Sequence, residues 1–385
     1  MNVSGPRPPH NEAERAAIAD LIQRVFEEEA TTRAHLAIVQ SSAFDPASLP
    51  AIWASNGQPL AVVQAVPCRL ALLGTWVAAG IITMVATDPG ARMQGYMRAC
   101  MEAAHEWLRN SGRPLAILYG VPQIYPRFDY RPVMPRSVVR YPTPAVGAAD
   151  TLREACEGDV AAMASLFNQQ EIQRPCSIER SAEQWVWRDG NPAAILDGED
   201  GVSGYARIAS PATTTLDVIE CAARAGHEAE LLDALHARAA AHGSQEIQLR
   251  LMPDHPLVQE VSRRATQLEL SDVEVAVRPP QAGMLCVLDP GAVLELLQPE
   301  IERRLGGQGL RLAFGERGGA GFNGGGPTVR LPHQADLAHV LSGYPGVPAL
   351  RQWGALQGDE PAIHLAHTAF PTAWPRWSYA PFWGE

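Results

Sequence analysis

The chain has 385 residues, 46% of them hydrophobic and 19% charged, with a formal net charge of -11. That length exceeds one ordinary core and predicts two or three domains, while the composition excludes a disordered chain. The acidic balance excludes a nucleic-acid partner, which needs a basic face to displace counterions from phosphates, and suits a cationic substrate better.

Met1 to Asn11 is polar and lacks the apolar core of a signal peptide, so the protein is expected to be cytoplasmic. Six scattered cysteines, without a C-x-x-C pair or metal-closing spacing, predict reduced thiols and no metal site. From Glu12 to Glu29 the residues Ile18, Leu21, Ile22, Val25 and Phe26 recur at helical spacing and predict an amphipathic helix. Ala51 to Ala54 and Leu60 to Leu73 flank the turn signal Asn56-Gly57 and read as a hairpin. The apolar run Leu70 to Ala86 is too short for a membrane span and reads as two buried strands joined by a turn. A strand over Ile81 to Thr87 breaks at Asp88-Pro89-Gly90, and Tyr96, Met97, Cys100, Met101, Ala104, Trp107 and Leu108 then mark a helix face. Pro114 to Tyr119 makes another short strand.

Pro132, Pro135, Pro142 and Pro144 predict an interdomain connection rather than a central strand. A second amphipathic helix is expected over Ala148 to Phe167. Strands over Pro192 to Leu196, Val202 to Ile208 and Thr214 to Cys221, a helix over Glu228 to Ala241 and a strand over Glu246 to Leu251 repeat the earlier order, as an internal duplication would. Arg278 to Gly283 reads as a second linker. In the remainder, the glycine-rich Gly315 to Gly326 lacks the Lys-Ser or Lys-Thr of a phosphate loop and reads as a hairpin connection. His364 and His367 stand three apart in a β-like run and read as structural.

The informative stretch runs from Met84 through Asp88, Arg92 and Gly95 to Arg98. A strand hands over to a helix there, and the helix start leaves about four N–H groups without internal partners, a ready anion site. Gly95 lets a diphosphate approach the main chain and Arg92 adds charge. Read alone, the same stretch is more often a plain strand-to-helix turn with an incidental Gly and Arg. About 25 residues later comes Tyr125-Pro126-Arg127-Phe128-Asp129-Tyr130.

In this order and at this distance, the two segments resemble the GNAT acetyltransferases, with their R-x-x-G-x-G/A turn and tyrosine-rich Y-x-R-F-G-Y element. The whole chain looks like the enhanced-intracellular-survival (Eis) family. That resemblance implies an α/β (α+β) protein: tandem GNAT folds with mixed, mostly antiparallel sheets at 1–144 and 145–280, the second degenerate, and a sterol-carrier-like α/β domain at 281–385. It implies acetyl transfer from acetyl-CoA to the amine of a small molecule or a lysine, and a homo-oligomer. Met84, Val85 and Thr87 would face the pantetheine arm, and Arg92, Met93, Gln94, Gly95 and Tyr96 the diphosphate. Tyr125 would be the general acid, a phenol of pKa about 10 serving a thiol of about 8.5. The base would be the main-chain carboxylate of Glu385. Phe26, Glu27 and Trp185 are the candidate acceptor contacts, and Glu28 and Glu29 could line the pocket beside Glu27, though a glutamate at a helix end is more often solvated and a tryptophan more often core.

The sequence departs from the family pattern at Met97, where a small residue is usual, at Asp129 in place of glycine, at Glu385 in place of an aromatic end, and at Asp88, which adds negative charge near the phosphate site. A binding protein for an apolar ligand, with the acetyltransferase folds as scaffold, is the alternative.

Overall fold

The computed structural model describes residues 3–42, 44–145, 149–181, 193–209, 214–316 and 318–376. The order begins β1 (Val3–Arg7), α1 (Glu12–Phe26), α2 (Glu29–Gln40), β2 (Ala51–Ala54), β3 (Pro59–Leu72), β4 (Thr75–Thr87), α3 (Tyr96–Asn110), β5 (Leu115–Tyr119) and β6 (Arg131–Pro142). It continues with β7 (Arg153–Glu154), α4 (Val160–Glu171), β8 (Ala193–Gly198), β9 (Gly201–Ile208), β10 (Thr215–Ala223), α5 (Glu228–Ala241), β11 (Glu246–Leu249), α6 (Pro256–Thr266) and β12 (Glu274–Val287). The last part holds α7 (Pro290–Leu305), β13 (Leu310–Phe314), β14 (Gly318–Phe322), β15 (Thr328–Leu331), α8 (Leu337–Ser342), α9 (Val347–Gln352) and α10 (Glu360–Ala369). This is a mixed α/β architecture.

These elements form two compact units. The first takes residues 1–133, 175–179 and 281–385; the second takes 134–174 and 180–280. In the first unit β1 to β4 pair antiparallel, β4 and β5 pair parallel through the crossover helix α3, and Gly283–Val287 of β12 lies antiparallel to β5. Period-2 alternation sends Val62, Met84 and Ala86 to one face, under α1 and α2. Val63, Ile82 and Ala116 go to the other, under Cys100, Met101, Ala104 and Leu108 of α3. Each of the larger of these side chains contributes about 1.5–3 kcal/mol by leaving water. A small second sheet, in the order β14, β13, β15, completes this unit.

In the second unit β7, β8, β9 and β10 pair antiparallel in sequence, β10 and β11 pair parallel through α5, and Val139–Pro142 of β6 lies antiparallel to β11. The β10–α5–β11 connection thus repeats that of β4–α3–β5. The strand beyond the parallel pair is thus not the next in sequence: β5 takes β12, from beyond the second unit, and β11 takes β6, which directly follows β5 in the chain.

That exchange corrects two expectations. Pro132, Pro135 and Pro142 lie inside strand β6, and 278–283 inside strand β12, so neither stretch is a loop linker. A proline removes only one donor, and the buried side chains of Val133, Met134, Val139 and Tyr141 hold β6 in place regardless. The helix expected from Ala148 begins at Val160, after a short strand and the 3-10 turn Glu157–Asp159; Ala148 itself lies outside the described residues. His364 and His367 sit on helix α10, not in a strand, because Asp359 caps the helix through its bond to the Ala362 amide. No helix of the described residues is long and apolar enough to cross a membrane.

Candidate active site

β4 and β5 pair only as far as Ile81 and Ile117. Beyond that point the strands part, and the β5-facing edge of β4 has no strand neighbour. The divergence follows from a bulge: two residues, Met84 and Val85, stand opposite Val63, and Met84 takes a left-handed φ of 48°. The opening between the strands is a cavity of about 1010 Å³.

One end is the head of α3. Asp88 ends β4 by accepting a bond from the Gly90 amide at 2.9 Å, and a 3-10 turn over Pro89–Ala91 follows. Gly95, with φ of 79°, is the N-cap and has no side-chain cap. The first helical bond runs from the Ala99 amide to the Gly95 carbonyl at 3.1 Å. Among the described residues, the amides from Arg92 to Arg98 therefore donate to no protein group. These donors and the positive end of the helix dipole face a cavity whose lining includes Arg92, Arg98 and Arg127. Asp88, which the sequence sets against anion binding, is occupied elsewhere: it holds the turn and lies 3.8 Å from Arg24.

Tyr125 opens the 3-10 turn Tyr125–Phe128 after β5 and is only 9% exposed. Its ring rests on Gly120, where a Cβ would lie 2.3 Å from Cε2, and meets Tyr130 edge-on at 6.0 Å between centroids. Burial pushes its pKa up to about 12, so the hydroxyl stays protonated at neutral pH. Behind it Tyr130 Oη lies 2.9 Å from His105 Nε2, and burial lowers His105 to about 4, which keeps it neutral. The turn ends at Asp129 with φ of 65°, a left-handed position where glycine is the unstrained choice and aspartate a tolerated one. The third stretch of the chain anchors this loop. Arg131 Nε donates to Asp336 at 2.7 Å, and Cys286 Sγ lies 3.5 Å from the Phe128 carbonyl.

Of the residues singled out in the sequence, Phe26, Met84, Val85, Thr87, Arg92, Met93, Gly95, Tyr96 and Tyr125 all line this one cavity. Met93, 99% exposed, stands at its mouth. Gln94 is exposed and outside the lining. Glu27 is also outside: it takes φ of 57° as the C-cap of α1 and points into solvent, while its neighbour Glu28 lines the cavity. Trp185 and Glu385 fall outside the described residues. Sequence reasoning missed Thr31 and Ala34 because it missed α2. No glycine or proline marks the break at Glu27, although Ala34 and Ile38 keep helical spacing. No group of three or more potential metal ligands occurs among the described residues.

Comparison with known proteins agrees with this geometry. Residues 8–133 match the family described as "Acetyltransferase (GNAT) domain". No curated protein matches the chain. Among solved structures, a GCN5-related N-acetyltransferase from Anabaena variabilis ATCC 29413 is similar over 97% of this chain and 99% of its own, with a TM-score of 0.74 at 15% identity. One from Kribbella flavida is similar over 97% of each chain, with a TM-score of 0.72 at 19% identity. Eis1 from Mycobacterium abscessus is similar over 98% of each, with a TM-score of 0.67 at 15% identity. The N-terminal third of the chain thus carries a GNAT acetyltransferase domain, and the whole has the fold of such proteins.

Proposed function

We propose, from the premise of that GNAT domain, that the cavity is the active site of an N-acetyltransferase that moves the acetyl group of acetyl-CoA to a primary amine. One observation carries this reading: the uncapped amides at the head of α3 and the protonated Tyr125 line the same opening between parted strands. GNAT proteins generally use acetyl-CoA, and the residues present suit it. The amides from Arg92 to Arg98 would hold the diphosphate, and the unpaired edge of β4 would bond the pantetheine amides as an added strand would.

An amine attacks only when neutral, and an ordinary amine, with its pKa near 10, is almost wholly protonated at pH 7. Once its nitrogen joins the acyl carbon and the C–S bond breaks, Tyr125 gives its proton to the departing sulfur. The proton leaving nitrogen goes to a base. The resemblance assigns that role to the carboxylate of Glu385, and a chain stopped before Trp377 tests it by losing activity.

The direct test is acetyl transfer itself. The chain contains no lysine, all 31 basic side chains being arginine, so no ε-amino group of the protein can take up label. Acetyl-CoA-dependent thiol release that requires an added amine, lost in Tyr125→Phe with acetyl-CoA binding retained, supports the assignment. Equal turnover by that variant removes Tyr125 from the chemistry. Failure to bind acetyl-CoA, together with uptake of an apolar ligand, would favour a binding protein instead.

A further inference from the structure

The cavity passes through the sheet, and its two ends differ in chemistry. Ile82 and Val85 pack with the α3 side, whereas Met84 packs with α1 and α2. The diphosphate donors belong to the first side, so the acceptor has the second. There the walls are Val25, Phe26, Ala34 and Met84, hydrocarbon or thioether, with the hydroxyls of Thr31 and Thr83 as neutral polar groups. A single carboxylate stands among them. Glu28 Oε2 accepts a bond from Thr31 Oγ1 at 3.1 Å, which holds it in place, and it has no cationic partner among the described residues. The other charged lining residues are the three arginines already described.

A polycation brings several ammonium groups, each needing a carboxylate or water once it leaves bulk solvent. Walls with one carboxylate meet that need badly. A hydrocarbon body, in contrast, gains about 25 cal/mol for each Å² it removes from water.

We propose that the acceptor is a monocation: a primary amine on an alkyl or aryl body. This rests on the acyl-transfer reading above and names its substrate class. Glu28 draws the ammonium to the mouth, and the body then spreads along Val25, Phe26 and Met84. Those apolar surroundings favour the neutral amine, which is the form that attacks. The bonds made and broken are those given above: nitrogen joins the acyl carbon, sulfur leaves with the Tyr125 proton, and the surplus proton on nitrogen goes to the base.

The test compares kcat/KM at saturating acetyl-CoA for the n-alkylamines from butyl to octyl, for 2-phenylethylamine and for spermine. The expected result is a rise of about fourfold per methylene until the wall ends, with 2-phenylethylamine well above spermine. Phe26→Ser should flatten the series, and Glu28→Gln should lower kcat/KM for every monoamine several-fold while the KM for acetyl-CoA stays put. A flat series, or spermine as the best acceptor, overturns the proposal while leaving acyl transfer intact. Transfer to no amine at all rejects acyl transfer itself and this proposal with it.

Discussion

Gly120→Ala is the sharpest lever on the proposed general acid. The φ of Gly120 lies outside the left-handed region, so alanine fits the backbone, and the nearest atoms to the new methyl all belong to Tyr125: Cε2 at 2.3 Å, Cζ at 3.0 Å and Cδ2 at 3.1 Å. Carbon atoms settle about 3.5–4.0 Å apart, so the ring must retreat by roughly 1.2 Å or more. A displacement of that size between a catalytic group and its target costs on the order of 100-fold in rate. The head of α3 is untouched. The account therefore predicts that kcat for thiol release falls about 100-fold, while calorimetry finds acetyl-CoA binding nearly unchanged. In a Tyr125→Phe background the same alanine should cost little more, because the hydroxyl it displaces is already gone. Wild-type turnover in Gly120→Ala, or an equal loss in both backgrounds, would refute the role given to the phenol.

Because burial raises Tyr125 to about 12, the acid is intact below that value, and kcat should show no alkaline loss near pH 10, where a free phenol ionises; a pH–rate profile checks this. His105 and His236 are both lowered to about 4 by burial. A histidine held below its unfolded value binds its proton more weakly in the fold, so its cost appears as pH falls through 6.5 and is complete near 4, at up to roughly 3 kcal/mol each. Thermal melts across that window should show the decline, and His105→Gln should remove part of it; an unchanged slope contradicts the buried neutral state. Asp129→Gly should relieve the left-handed φ and raise stability by about 0.5–1 kcal/mol with activity kept, as a denaturant midpoint would report. Asp336→Asn weakens the tie to Arg131 and should cost about 1–3 kcal/mol, with kcat reduced more than the affinity for acetyl-CoA because the Tyr125 loop hangs from that bond.

The parts of the site that were readable in the sequence are those written in short local signals. Asp88-Pro89-Gly90 and Gly95 announce a turn and a helix start in the residues themselves. The tyrosine element is different: nothing local requires Tyr125 to face the α3 amides, and only resemblance joined the two. The break at Glu27 has no local signal, because a glutamate occupies a left-handed position that the sequence usually gives to glycine or asparagine. Without it, α2 stays hidden, and with it Thr31 and Ala34. The placement of β6 and β12 was illegible for another reason. Strands pair according to which partner edge is open, and the edges of β5 and β11 are closed by residues far away in the chain. Their prolines read locally as breaks, whereas burial of Val133, Met134, Leu285 and Cys286 decides the outcome.

Hydrogen–deuterium exchange across Arg92 to Arg98, with and without acetyl-CoA, addresses the diphosphate site at its source. Slower exchange of these amides on adding acetyl-CoA, centred on Gly95 to Arg98, is what a diphosphate held by the head of α3 requires. Exchange there that stays fast while the ligand binds elsewhere, or does not bind, would contradict it.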